Sequence, residues 1–491
     1  MGSTVTLRNL RNSIQAQAGW ANLNGRAIAV VGLLALLAFV AVPVATNWLG
    51  DGDLLMFAAV SLSLLLTILV GTIRVSKLKL EVLTWKTGLI MWAFLLGSQQ
   101  FFLRSVTPAD EALNYGYDAA AYAEAGTWLA AGLVIFVIAI RSREQLRWTW
   151  SGNFKFIVLF TVMCCLSASY SPSRLLAFAW SFKLVLVVLA LNMCSRGMHT
   201  AADIRTFLLS TFWGFAMLMV VPVIKGIVTG QKAFLPDGRL SYFDHPVHGS
   251  QLAGVALLLA LIVFAGRARS VLPWAGISAA IMLVSGGKAG IVAGVLSALL
   301  LFGLRGKPGQ ALLMLVGVTA LGVTVLVYTP VSQYLKIYLE SGAAGTLTGR
   351  TDLWDASVPM ILEKPLFGHG YMSSRFMSLS DRLESFNWQP TQAHNSFLEI
   401  TYTNGAVGLI LLLTLHYLVV RHLWAAFRQH RLLAAGALVL YVDLLLQSAV
   451  EGSVAGKPSD SFMLLLALVT VSEKLVNLTS PPFTPRRLLQ S

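Results

Sequence analysis

The sequence predicts an all-α, polytopic helical membrane protein, and two properties of the chain carry this prediction. Hydrophobic residues make up 56% of the 491 residues and charged residues only 12%, about half of the charged share of a typical soluble protein. Apolar runs of roughly 15 to 25 residues recur along the chain, and about 20 such residues suffice for a helix to cross a bilayer. A transmembrane barrel would instead show alternating strands of about ten residues.

About fourteen apolar segments are present, which predicts about 12–14 transmembrane helices. Their approximate limits are 27–47, 53–73, 87–103, 126–140, 154–168, 175–193, 205–226, 248–266, 271–285, 289–304, 310–329, 395–420, 432–450 and 460–476. The first run begins near Ala27 and is interpreted as a retained span rather than a cleavable leader. The ninth and tenth segments are separated by Ser285-Gly286-Gly287-Lys288. They are therefore either two spans or one broken span.

The charges of the loops predict a topology. The formal net charge of +14 comes largely from Lys and Arg in every second loop, while the intervening loops are acidic or mixed. Basic loops tend to stay in the cytoplasm, so both termini are predicted to be cytoplasmic, and the same tendency explains the basic balance without nucleic acid as a partner. The predicted parts are a cytoplasmic tail (1–26), transmembrane helices with short loops (27–329, including an outer loop at 227–247), a long periplasmic loop (330–394), further transmembrane helices (395–476) and a cytoplasmic tail (477–491).

The loop 330–394 is about 65 residues long, which far exceeds an ordinary connector, and long loops on a rigid scaffold often carry function. Residues from Thr351 to about Glu363 predict an amphipathic helix that lies on the outer leaflet. Its predicted apolar face consists of Leu353, Trp354, Val358, Ile361 and Leu362.

Arg350 stands at the N-terminal edge of this predicted helix. The helix dipole and the free amides of a first turn favour an anion there, and a guanidinium adds two parallel donors for phosphate. Arg350 is therefore a candidate phosphate ligand, although it could also be a solvated arginine beside Asp352. The aromatic ring of Trp354 could stack on a sugar or belong to an interfacial belt.

His394 ends the long loop at the start of the next apolar segment. An imidazole suits the abstraction of a proton from a hydroxyl group near neutral pH, and a histidine at this place can equally be structural. Asn395 could orient the ring or cap the helix. His394 is the candidate catalytic base, with Asn395 beside it.

Further cations are predicted on the same outer side. Arg239 and His245 lie in the shorter outer loop, Lys288 lies between two apolar segments, and Arg174 follows the segment 154–168. His245 and His248 could suggest zinc, but they lack a convincing third ligand, and no metal or other cofactor is predicted. The common sidedness of these cations indicates a site for an anionic ligand.

Four motifs between positions 349 and 409 resemble those of the O-antigen ligase and polymerase superfamily of bacterial envelope glycan assembly. In order they are Gly349-Arg350-Thr351-Asp352-Leu353-Trp354, Lys364-Pro365-Leu366-Phe367-Gly368-His369-Gly370, His394-Asn395-Ser396-Phe397-Leu398-Glu399 and Asn404-Gly405-Ala406-Val407-Gly408-Leu409. Phe243-Asp244-His245-Pro246 is a weaker match. Ser285-Gly286-Gly287-Lys288-Ala289 stands where the family has an arginine-containing element, and lysine keeps the charge but not the planar fork.

This resemblance implies a GT-C-like fold and a metal-independent, inverting glycosyltransferase of the inner membrane. The donor would be a glycan linked to undecaprenyl pyrophosphate, bound among the membrane lipids. Carried over by motif, His394 would be the base, Arg350 and Arg239 would contact the pyrophosphate, and Lys288 and Arg174 would do so less securely. The activated donor would need neither nucleotide nor ATP.

The resemblance leaves the acceptor open: a lipid A-core (ligase), a growing glycan (polymerase) or a protein hydroxyl (O-oligosaccharyltransferase). A ligase or polymerase is favoured, because no sizeable extension follows the last predicted span. A transporter or flippase for a lipid-linked or small anionic solute is the main alternative and would explain a broken span. A non-catalytic assembly scaffold is the third.

Overall fold

Helices account for nearly all of the regular structure in the described part of the chain. The computed structural model describes residues 80–100, 126–135, 152–172, 174–228, 230–243, 245–340, 350–375, 392–452 and 458–478. All of them belong to the unit Leu78–Ser491. The predicted spans 27–47 and 53–73, the N-terminal tail and most of the C-terminal tail lie outside the described residues.

Fourteen α-helices are labelled in chain order within those ranges. They are α1 (Leu80–Gly97), α2 (Gly126–Ile135), α3 (Phe154–Ser167), α4 (Arg174–Arg196), α5 (Ala201–Val228), α6 (Pro246–Val263), α7 (Ala268–Val284), α8 (Lys288–Leu304), α9 (Pro308–Tyr328), α10 (Val331–Glu340), α11 (Arg350–Glu363), α12 (Ser396–Phe427), α13 (Arg431–Val450) and α14 (Asp460–Val476). The only β pairing among the described residues is an isolated bridge between Phe234 and Leu240.

Six of these helices are long and apolar enough to cross a membrane, namely α4, α5, α6, α9, α12 and α13. Another four apolar helices are shorter, namely α2, α3, α7 and α8. Within the described ranges, the predicted limits agree with the observed ones to within a few residues at most ends. The protein is therefore an all-α, multi-pass membrane protein, as its composition predicts.

The interruption at 285–287 separates two helices rather than bending one. Helix α7 ends at Val284 and α8 begins at Lys288, and Gly286 adopts a left-handed conformation with φ of +67°. Both helices pack mainly against α6. The ambiguity in the sequence therefore resolves as two helices joined by a tight glycine turn.

Helix α12 differs from the prediction of a single span beginning near position 395, because it is broken at Gly405. Gly405 has φ of +64° and ψ of −164°, which is not helical. The rings of Phe397 and His416 are 5.7 Å apart, whereas 19 residues of straight helix would separate them by about 28 Å. The short segment 396–404 and the long segment 406–427 therefore fold against each other at a sharp angle.

The motif Lys364–Gly370 packs, backbone against backbone, on this break. The N–H groups of His369 and Gly370 donate to the carbonyls of Tyr402 and Thr403 at 2.9 and 2.8 Å. Beyond the break, the N–H groups of Ala406 and Val407 donate to the carbonyls of Pro365 and Leu366. Because the two segments of the chain are this close, a Cβ on Gly405 would lie 2.3 Å from the Leu366 carbonyl. The two motifs thus form one structural unit, named here the loop clamp (364–370 with 402–407).

Helix α11 occupies the predicted position, from Arg350 to Glu363. Leu353, Ser357 and Met360 are buried, and Leu353 and Met360 pack with Ala393 and Tyr402 in a small core. Val358 and Leu362, which belong to the predicted apolar face, are 45% and 68% exposed. The helix therefore packs on the start of α12 through one face, and its place on the outer leaflet stays a prediction.

Candidate functional site

His394 is held firmly at the start of α12. Its φ is +48°, a left-handed value that is uncommon for residues other than glycine. On one side, the backbone N–H of Ala393 donates to the Glu399 carboxylate at 2.7 Å. On the other side, the Asn395 carboxamide caps α12 by accepting from the N–H groups of Phe397 and Leu398. The backbone thus directs the imidazole away from the helix that it precedes.

Glu451, the residue that follows α13, joins His394 to Arg350. Its Oε2 lies 2.9 Å from His394 Nδ1, and its Oε1 forms a close ion pair with Arg350 Nη2. The three side chains are 9%, 23% and 19% exposed for Glu451, His394 and Arg350. Ser396 Oγ donates to the Glu451 carbonyl at 3.0 Å, which fixes α13 against α12. An imidazole, a carboxylate and a guanidinium therefore form one connected group.

Arg239 is oriented from three sides. Asp237 accepts from its Nε at 2.8 Å and pairs with its Nη2 at 2.6 Å. The guanidinium carbon lies 4.6 Å from the centre of the Tyr334 ring, and its aliphatic chain passes close to Gly286. Burial opposes ionisation of Asp237, but the hydrogen bonds and charge of Arg239 outweigh it and lower the pKa of that carboxyl.

Lys288 lies within reach of both arginines. It is the first residue of α8, and its ammonium is 5.5 Å from the centre of the same Tyr334 ring. Burial first, and then the positive charges of Arg350 and Arg239, lower the pKa of Lys288 to about 8. Three cations from three different parts of the sequence therefore converge.

The two histidines of the shorter outer loop have different surroundings. His245 caps α6 by accepting from the N–H of Val247. Desolvation by surrounding protein is the main factor that lowers the pKa of His245, followed by the charge of Arg239, while the charge of Glu451 opposes it. His248 Nε2 instead lies 3.0 Å from Asp460, at the start of α14. His245 therefore belongs to the cluster, whereas His248 ties α6 to α14.

The N-termini of four helices meet around these side chains. Helix α6 starts directly after His245, α8 starts at Lys288, α11 starts at Arg350, and α12 starts two residues after His394. The first residues of a helix carry partial positive charge and unsatisfied N–H groups. The N-terminus of α8 has no side-chain cap. The arrangement is therefore suited to an anion with several oxygen atoms.

The structure gives Trp354 and Arg174 other surroundings. The indole Nε1–H of Trp354 donates to the carbonyl of Ala393 at 3.0 Å, so this side chain holds α11 beside His394. Arg174 is exposed at the start of α4, and in the described ranges no hydrogen bond or ion pair joins it to the cluster. Asn395 bonds to the Ala449 carbonyl at 3.0 Å, besides capping its helix.

Sequence reasoning missed three members of the cluster. Glu451 lies 57 positions after His394, in a short loop that carries no motif. Tyr334 looks like one more aromatic residue at a membrane interface, and Asp237 like a turn residue. A carboxylate directly after an apolar span was the available signal for Glu451, since such residues seldom lie near a membrane without a partner.

Comparisons with known proteins give one family match and two relatives. Residues 274–413 match the family model described as O-antigen ligase. The exopolysaccharide production protein ExoQ of Rhizobium meliloti (strain 1021) is 24% identical over 307 residues, which are 58% of this chain and 67% of that protein. A candidate polysaccharide ligase of Rickettsia conorii, RC0486, is 36% identical over 74 residues, which are 14% of this chain and 18% of that protein.

The chain is therefore a multi-pass membrane protein. Residues 274–413 of it are similar to the O-antigen ligase family. This region includes Lys288, Tyr334, Arg350 and His394, whereas Arg239 and Glu451 lie outside it.

Proposed function

We propose that the protein is a glycosyltransferase that moves a glycan from a polyprenyl-pyrophosphate carrier to an acceptor hydroxyl at the outer face of the inner membrane. One observation carries the proposal: His394 and Arg350 share the carboxylate of Glu451, beside the cations Arg239 and Lys288. A proton acceptor next to a multiply cationic anion site is what this reaction needs.

The donor pyrophosphate would occupy the space among Arg239, Lys288 and Arg350. Guanidinium groups bind phosphate oxygens through parallel hydrogen bonds, and the ammonium of Lys288 adds a compact charge. The uncapped first turn of α8 would supply backbone N–H donors to the same anion. These groups would stabilise the negative charge that grows on the departing phosphate oxygen.

His394 would act as the general base. Its Nδ1 lies 2.9 Å from Glu451 Oε2. With the proton of the neutral ring on Nδ1, Nε2 would be the basic nitrogen that accepts the proton of the acceptor hydroxyl. The acceptor oxygen forms a bond to the anomeric carbon while the bond from that carbon to the pyrophosphate oxygen breaks, and its electron pair leaves with the pyrophosphate. Direct displacement inverts the anomeric configuration, and polyprenyl pyrophosphate is the second product.

Glu451 would be a positioning residue. Its carboxylate fixes the direction of the imidazole and stabilises the positive charge that His394 gains when it takes the proton. The same carboxylate keeps Arg350 beside the ring, so the base and one anion ligand are held at a set separation. A ligase or polymerase acceptor fits the family description, and either a lipid A-core or a glycan end supplies the required hydroxyl.

Transfer by purified protein tests this function. The full-length protein is incubated in nanodiscs with undecaprenyl-pyrophosphate-linked glycan and an acceptor preparation from the same cells, without an ion gradient. We expect a transferred product and the release of undecaprenyl pyrophosphate. His394→Ala should lower the rate by at least 10²–10⁴-fold, because general-base catalysis contributes about that much.

His199→Ala is the matched control, because it removes an exposed histidine at the far end of α4. It should leave the rate unchanged. Full activity of His394→Ala at normal membrane levels would exclude the proposed base. The absence of transfer by the wild-type protein with authentic donor and acceptor would exclude the proposed function itself.

A transporter of a lipid-linked anion is the second candidate, and two buried ionisable side chains favour it. Asp443 is fully buried within α13, and Lys183 is buried within α4, where its ammonium lies 4.0 Å from the Trp128 ring centre and 4.2 Å from that of Trp180. Charges inside a span commonly mark a transport path. Gradient-dependent movement of donor lipid across proteoliposomes, with no new glycosidic bond, would favour this candidate.

A further inference from the structure

Tyr334 contacts two of the three cations of the proposed pyrophosphate site. It lies in the first turn of α10, at the beginning of the long outer loop. The Arg239 guanidinium carbon is 4.6 Å, and the Lys288 ammonium 5.5 Å, from the centre of its ring. Attraction between a cation and the face of an aromatic ring extends to about 6 Å. One aromatic ring therefore attracts two like charges that would otherwise repel each other.

Three segments of chain come together at this ring. The loop bearing Arg239 is tied to the end of α7, because the N–H of Leu240 donates to the Val284 carbonyl at 3.1 Å. Gly238 approaches the Pro330 carbonyl, directly before α10, so closely that a Cβ would lie 1.9 Å from that oxygen. Gly286 approaches both the Arg239 side chain and the Tyr334 ring. The ring is thus fixed relative to the cations by backbone contacts on two sides.

We propose that Tyr334 is a positioning residue that aligns Arg239 and Lys288 for the two phosphates of a polyprenyl-pyrophosphate donor. This inference rests on the proposed function. The π system lowers the cost of holding two cations near each other, so the site is preorganised before the donor arrives. A ring is required for this role, whereas the hydroxyl is not.

Binding of farnesyl pyrophosphate to the purified full-length protein tests the inference. Tyr334→Phe keeps the ring and should bind within about twofold of the wild type. Tyr334→Leu keeps most of the volume but loses the π face, and we expect binding weaker by roughly five- to thirtyfold. In the transfer assay, the same variant should raise the KM for the donor and leave kcat at saturating donor nearly unchanged.

A double-mutant cycle separates alignment from a general loss of structure. Arg239→Gln and Tyr334→Leu should together weaken binding less than the product of their separate effects, because Tyr334 acts through Arg239. Tyr328→Leu is the control, since that side chain is 82% exposed on the preceding helix, and it should change nothing.

The failures of the two proposals are distinguishable. If wild-type protein binds farnesyl pyrophosphate and transfers glycan while Tyr334→Leu is unaffected, the role of Tyr334 is wrong and the function stands. If Tyr334→Phe is as weak as Tyr334→Leu, the hydroxyl matters and the aromatic platform is wrong. If the wild type neither binds the pyrophosphate nor transfers glycan, the proposed function fails.

Discussion

Two histidines between α10 and α12, His369 and His394, have different surroundings although both lie in family-like motifs. His369 Nε2 lies 2.8 Å from the Met360 carbonyl, and its ring stacks on Tyr402 with centroids 4.5 Å apart. His394 faces the carboxylate of Glu451 beside an arginine. The first ring contacts a backbone carbonyl and another aromatic ring, whereas the second contacts a carboxylate that also binds an arginine. The role of a histidine in such a motif therefore follows from its hydrogen-bond partners. The motif alone does not decide that role.

Of the predictions made here, a substitution in the loop clamp should have the largest effect, on the amount of folded protein. Gly405→Ala places a Cβ 2.3 Å from the Leu366 carbonyl at a positive φ, so the backbone of one partner must move. We expect loss of most of the folded protein, measured by fluorescence-detected size-exclusion chromatography. Gly303→Ala is the control, because nothing lies within 4 Å of the added methyl group. A well-folded, active Gly405→Ala protein would show that the clamp is dispensable.

Glu451→Gln gives the next largest effect, on the chemical side. The amide keeps the shape and one acceptor for Arg350, but it no longer neutralises the charge that His394 gains. We expect kcat to fall by about 10²-fold with little change in the thermal unfolding midpoint. An unchanged kcat would mean that the contact between His394 and Glu451 is structural, like that of His369.

The pH dependence of donor binding tests the cationic half of the site. Lys288 has a pKa of about 8, so its charge is lost as pH rises through that value, and the affinity for an anion falls with it. Between about pH 7 and about pH 9, the affinity for farnesyl pyrophosphate should fall by about tenfold. This is about the binding free energy that one hydrogen bond to a charged group contributes. Lys288→Arg keeps its charge throughout and should remove this dependence. If the affinity of the wild type and of Lys288→Arg falls equally with pH, a group other than Lys288 titrates.

His369→Phe has the smallest expected effect and sharpens the comparison. The phenyl ring can still stack on Tyr402, but it loses the hydrogen bond to the Met360 carbonyl. We expect a loss of about 1 kcal/mol in the free energy of unfolding and a kcat within about twofold of the wild type. His394→Phe should show the reverse pattern, with stability kept and activity lost. If kcat falls as much in His369→Phe as in His394→Phe, the proposed difference between a structural His369 and a catalytic His394 is wrong.

Most helices could be predicted from the sequence because their signal is local. Apolar runs of sufficient length and the charges that flank them give limits close to those of α4, α5, α6, α9 and α13. The break at Gly405 could not be predicted, since Asn404-Gly405 lies inside an otherwise continuous run and the partner that stabilises the break is 35 to 40 residues earlier. The packing of α11 on the start of α12 could not be predicted for the same reason.

The site was predicted in part. Arg239, Lys288, Arg350 and His394 could be grouped by their common predicted side, and the structure brings them together. Arg174 shared that side but joins none of them in the described ranges. Glu451 and Tyr334 could not be placed, because their importance comes from contacts between residues that are 46 to 101 positions apart. Such contacts exist only once the helices have packed.

Both arginines of the candidate site already have a carboxylate partner. Arg239 pairs with Asp237 and Arg350 pairs with Glu451, so a small anion such as phosphate or sulfate gains little from either arginine alone. A ligand long enough to touch three cations at once gains from all of them while each ion pair stays in place. Inhibitors of this protein should therefore be selected for the span between their anionic groups, and a higher total charge on a compact molecule will not improve them.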